Sequence, residues 1–184
     1  QSEFGAEYDS LSDMISFGAA PALVIYEWAL KDMGKMGWIA AFIYCTCAAL
    51  RLARFNSKTG ETDRRFFQGL PSPAAAALIA GLVWVMLEFK IAGTEIKWLA
   101  WGITVFAGFT MVSNLPYYSG KEINLRKSVP FITVLLLALF FFVLIPSQPP
   151  VVLFCMFMLY ALSGYIMWIL QWRKKKKSTA IQES

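Results

Sequence analysis

Histidine is missing from all 184 residues. That absence removes a Ser-His-Asp triad, histidine acid–base work and a His-ligated metal together. Cysteine is scarce: Cys45, Cys47 and Cys155 all lie inside apolar stretches with no paired ligand motif. Neither a disulfide framework nor a zinc site is expected from them. Acidic residues number only 12 against 17 Lys and Arg. Much of the net charge of +5 sits in Arg173 and Lys174 to Lys177, directly after an apolar run, and does not suggest nucleic acid. Any metal must be held by oxygen, which points to magnesium, manganese or calcium. No cleavable signal peptide is legible, and the chain opens on polar residues without Met, as a fragment does. β-barrel alternation, internal repeats and a second domain are also missing.

What is abundant is apolar sequence, 58% of the chain. Several runs reach the roughly 17–25 residues that cross a bilayer. The expected fold is all-α, a polytopic transmembrane helix bundle, because continuous apolar blocks span as helices. Six spans can be drawn: Met14–Leu30, Met36–Ala53, Pro73–Phe89, Lys97–Leu115, Val129–Pro146 and Pro150–Leu170. Residues 1–172 form the membrane domain and 173–184 a basic tail that touches anionic lipid. Pro21 is expected to kink the first span. Ser72 suits a helix cap and Pro73 a first helical turn.

Charge sets the orientation. One side carries Arg51, Arg54, Lys58, Arg64, Arg65, Lys121, Arg126, Lys127 and the terminal run; the other carries only Lys31, Lys35, Lys90 and Lys97. The first side is read as cytoplasmic. Trp28, Trp38, Trp98 and Trp101 near the outer span edges, with Trp168 and Trp172 near an inner one, form an interfacial belt. Tyr117, Tyr118 and Lys121 read as interfacial too.

Chemistry gathers at the cytoplasmic rim. Gly5, Asp9 and Asp13 recur at four-residue spacing in GAEYDSLSD. On a helix such steps drift about 40° and rise about 6 Å, so the three share one face. An acid at the centre of a span costs roughly 2.5–3.5 kcal/mol. Two carboxylates one turn apart can hold a hard divalent cation, or divide into ligand and base. In RLARFN, Arg51 and Arg54 share a face and Asn56 follows. They suit either snorkelling at the boundary or a guanidinium fork for phosphate or carboxylate. Arg64 and Arg65 add to the fork unless Glu61 and Asp63 pair with them.

GAEYDSLSD matches G-x3-D-x3-D, the second half of the signature of CDP-alcohol phosphatidyltransferases. SDMISFGAAPAL, RLARFN, FQGLPSP and LPYYSGK follow in order, and the whole resembles that family's phosphatidylserine synthase branch, of bacterial type. The resemblance covers nearly the whole chain up to the basic tail. It implies transfer of a phosphatidyl group from CDP-diacylglycerol to L-serine, releasing CMP, with Mg2+ or Mn2+ as cofactor and a homodimer as assembly. It places the protein in the bacterial inner membrane, its active site facing the cytoplasm. It also implies that the chain starts at the family's third helix, without D-x2-D-G-x2-A-R. By this resemblance Asp9 bridges metals, Asp13 binds metal and acts as general base, and Gly5 lies near the cytidine nucleotide. Arg51, Arg54 and Asn56 then look like a pocket for serine or diphosphate. Two alternatives stand beside it: another acceptor (glycerol phosphate, inositol phosphate or choline), or a transporter or scaffold without catalysis.

Overall fold

The computed structural model describes residues 2–57, 66–118 and 148–182. A nearly unbroken helical path opens it: α1 (Glu3–Met14), a π-helical turn (Ile15–Ala19), α2 (Ala20–Ile25), a second π-helical turn (Tyr26–Leu30) and a 3-10 turn (Lys31–Met33). Then come α3 (Lys35–Ser57), β1 (Phe66–Gln68), α4 (Ser72–Glu88), α5 (Lys97–Val112), β2 (Pro116–Tyr118) and α6 (Pro149–Gln182). The helical expectation holds. The Lys35–Ser57 helix and the Pro149–Ile169 part of α6 are long and apolar enough to cross a membrane; α4 and α5 are shorter apolar helices. The span drawn at Val129–Pro146 lies outside the described residues, as do Lys58, Glu61, Asp63, Arg64, Arg65, Lys121, Arg126 and Lys127.

Small residues set the packing. Buried positions of α3 recur at helical spacing (Gly37, Ala40, Tyr44, Ala48), and those of α5 likewise (Ala100, Thr104, Ala107, Met111). These faces meet, with Gly108 against the backbone of Tyr44. Close backbone approach lets dispersion hold helices together where lipid offers no hydrophobic contrast. Helix α4 is the central post, buried round most of its circumference by α2, α5 and α6.

Pro21 acts one turn earlier than a simple kink. It has no N–H for the carbonyl of Phe17, four residues before it. The chain widens into a π turn over Ile15–Ala19, and the buried hydroxyl of Tyr44 donates to Phe17 O at 3.0 Å. An extra residue in a helical turn commonly marks a functional region.

Two expectations are corrected. Ser72 makes no cap hydrogen bond; it is the first residue of α4, and Pro71 precedes it. Helix α5 ends at Val112 rather than Leu115, because Pro116–Tyr118 pairs antiparallel with Phe66–Gln68. Neither three-residue strand is long enough to carry a readable alternation.

Candidate active site

Helix α1 lies against the far end of α3. Ser2 starts it, its Oγ accepting the backbone N–H of Gly5 at 3.2 Å. Helical spacing puts Gly5, Asp9 and Asp13 on one stripe. Asn56 Nδ2 donates to Ser10 Oγ at 3.0 Å, tying this helix to the last turn of α3. Gly5, Asp9 and Asn56 are exposed, and Asp13 is partly buried. Asp13 lies within electrostatic reach of Arg51. No ion pair joins them among the described residues, so the carboxylate keeps its lone pairs.

Arg51 and Arg54 stand one turn apart and differ completely in what they meet. Arg51 Nη1 donates to Ser72 Oγ at 3.0 Å. Its Nε is sealed from solvent and has no hydrogen-bond partner among the described residues. A buried donor left without an acceptor costs about 1–3 kcal/mol, so an acceptor arriving there is strongly favoured. Arg54 is fully engaged at its two terminal nitrogens. Nη1 donates to Val112 O at 3.1 Å and Asn114 Oδ1 at 3.0 Å; Nη2 donates to Gln68 O at 2.6 Å and Ser113 O at 3.4 Å. These acceptors include the last carbonyls of α5, the negative end of its dipole.

The strand pair is locked from both sides. Gly69 has φ +80°, and a Cβ there would strike Met111 O, Ser113 O and Arg54 Nη2. Gly69 N donates to Leu115 O at 2.9 Å, and Leu70 N to Thr110 O at 3.1 Å. Tyr117 is not interfacial, as its loop position had suggested. It is fully buried, donates to Ala161 O at 2.6 Å and packs its ring against Gly164, where a Cβ would collide with it. Burial first, and then the neighbouring Tyr165 and Tyr160, push its phenol well above the usual tyrosine range. Tyr160 lies 5.5 Å from the Tyr117 ring and within electrostatic reach of Arg51.

The donor set suits a hard cation in kind. Asp9 and Asp13 offer carboxylate oxygens, and magnesium is commonly held by one or two carboxylates plus substrate phosphates. Among the described residues no group of three or more His, Cys, Asp or Glu forms a protein-only cage. No sequence signal marks Ser72 or Tyr160 as neighbours of Arg51, since each lies at least 21 positions away.

Comparison with known proteins shows what the chain as a whole is similar to. A family model described as CDP-alcohol phosphatidyltransferase matches residues 1–109. The CDP-diacylglycerol–serine O-phosphatidyltransferase of Helicobacter pylori (strain J99) is 33% identical over 168 residues, covering 91% of this chain and 69% of that protein. The protein of the same name in Methanocaldococcus jannaschii is 37% identical over 116 residues, 63% of this chain and 50% of its own length. The archaetidylserine synthase of Methanothermobacter thermautotrophicus is 37% identical over 114 residues, 62% of this chain and 45% of its own length.

Proposed function

This chain belongs to the CDP-alcohol phosphatidyltransferase family, and from that premise we propose that it serves the transfer of a phosphatidyl group from CDP-diacylglycerol to the hydroxyl of L-serine, giving phosphatidylserine and CMP. The observation that carries the proposal is that Asp13 lies within electrostatic reach of Arg51, whose buried Nε has no hydrogen-bond partner among the described residues. Serine as acceptor is supported by the names of the relatives, which agree on that headgroup.

Asp9 and Asp13 would hold Mg2+ or Mn2+ together with the substrate's diphosphate. The ion, when bound, neutralises charge that develops on phosphorus and on the departing nucleotide. Gly5, without a side chain, leaves room beside Asp9 for the cytidine nucleotide. Asp13 takes the proton from the serine hydroxyl. The serine oxygen forms a new bond to the phosphorus bearing the lipid, and the bond from that phosphorus to the CMP oxygen breaks. Arg51 and Asn56 form the wall that receives the anionic parts of the substrates, and Arg54, first expected in that wall, stands behind it with its terminal nitrogens bonded to the protein. The lipid's acyl chains stay in the bilayer while its headgroup stays wet, so the inner rim of a six-span bundle suits both. The positive-inside pattern puts that rim in the cytoplasm. A homodimer in a bacterial inner membrane completes the reading.

The test is direct. Membranes carrying the protein receive CDP-diacylglycerol and labelled serine, with Mg2+ or Mn2+ added and with EDTA. Serine-dependent CMP release and labelled lipid, both lost with EDTA, are expected. CMP release with glycerol phosphate, inositol phosphate or choline but not serine contradicts the acceptor.

A further inference from the structure

We infer that Arg54 is a positioning residue that aims Arg51. It ties the end of α5 to the β1–α4 loop, and that loop holds Ser72 against the Arg51 guanidinium. The inference rests on the reading that Arg51 receives an anionic group of a substrate. Both terminal nitrogens of Arg54 have each of their hydrogens committed to an acceptor of the protein. A terminal N–H that already donates within the fold has nothing left for a ligand. The positive charge of Arg54 is offset by the carbonyl end of α5, whereas among the described residues Arg51 has one serine hydroxyl and no partner for Nε.

The connection to Ser72 is short and stiff. Arg54 grips Gln68 O. Gly69 and Leu70 are hydrogen-bonded to Leu115 and Thr110, Leu70 is fully buried, and Pro71 fixes the entry to α4. Ser72 then accepts from Arg51 at 3.0 Å. A shift of the Gln68 carbonyl therefore passes along four residues to the hydroxyl that orients Arg51. Asn114 gives the clamp its only side-chain acceptor among these contacts.

The experiment is a double-mutant cycle on the full chain in membranes, with serine and CDP-diacylglycerol titrated separately. Arg51→Ala first identifies which KM rises. Arg54→Ala is expected to raise that same KM about tenfold, the scale of one hydrogen bond, and to add nothing in the Arg51→Ala background. KM reads only the folded fraction, so a loss of yield does not mimic this result. Arg54→Lys is expected not to rescue, since one ammonium cannot span four acceptors. Gly69→Ala is expected to reproduce Arg54→Ala, and Asn114→Ala to give about threefold through the same cycle. Should Arg54→Ala yield no folded protein, Asn114→Ala carries the cycle alone. An Arg54→Ala loss that persists undiminished without Arg51, or that falls on the other substrate's KM, or a wild-type KM in Arg54→Ala, overturns the inference. Unchanged KM values in Arg51→Ala itself defeat the underlying reading of Arg51, and the positioning claim with it.

Discussion

One helical turn separates Arg51 from Arg54, and the groups opposite each decide their roles. Arg54 faces the oxygens of Gln68, Val112, Ser113 and Asn114; Arg51 faces a hydroxyl and a nearby carboxylate, and its Nε has no partner among the described residues. The same contrast separates the aspartates, Asp9 exposed and Asp13 partly buried beside Arg51. Asp13→Asn is expected to keep CDP-diacylglycerol binding while lowering kcat by at least about 100-fold, measured as CMP release against equilibrium nucleotide binding. Normal turnover in that variant removes Asp13 as base. Ser72→Ala is expected to raise the KM that Arg51→Ala raises, by less, because it loosens Arg51 without removing it. The positions and spacing of Gly5, Asp9, Asp13, Arg51, Arg54 and Asn56 were readable from the chain. Their partners were not. A guanidinium on an apolar helix reads the same whether it meets backbone carbonyls or a ligand, and Arg54's partners lie 14 to 60 positions away.

Among the elements, the π turn and the strand pair do the positioning. Pro21 takes a donor from the first helix, Tyr44 supplies another, and the widened turn lies between Asp13 and the core. Tyr44→Phe is expected to cost about 1–3 kcal/mol by stranding the Phe17 carbonyl, seen as a lower Tm. The strand pair is bolted to α6 by Tyr117. Its phenol is held protonated in the fold, so the linkage has a definite sign. Stability from this group is constant below the ordinary tyrosine pKa of about 10 and falls as pH rises above it. Tyr117→Phe should flatten that alkaline slope in a Tm-against-pH series; an unchanged slope assigns it to other groups. Helix existence was legible because apolar blocks bounded by Gly and Pro leave few alternatives. The ribbon was not, because three-residue strands carry no period and their pairing spans 48 to 52 positions. The sequence around the buried Tyr117 looks interfacial for the same reason: its seat is made by Ala161 and Gly164, far along the chain.

The whole molecule joins an apolar bundle to a polar rim. Asp9, Asp13, Arg51, Arg54, Asn56 and Ser72 come from three separate stretches, yet the bundle brings the ends of α1, α3 and α5 and the start of α4 together. A transport path instead sets acids and arginines toward the bilayer centre. At this scale Ser57→Cys is expected to add labelling by a membrane-impermeant thiol reagent, over that of the native Cys45, Cys47 and Cys155, only in inverted membrane vesicles. Labelling in right-side-out vesicles would reverse the orientation. Charge asymmetry gives the chain an expected orientation, which this labelling tests; the convergence of loops on Arg51 needed the fold. The most direct measurement of the central claim is phosphatidyl transfer to labelled serine from CDP-diacylglycerol by membranes carrying this protein, compared with the Asp13→Asn and Arg51→Ala forms. The account predicts serine-dependent CMP release in the unaltered protein, a loss of at least about 100-fold in Asp13→Asn, and release by Arg51→Ala that approaches the unaltered rate only at raised substrate. Equal CMP release from all three proteins would contradict it.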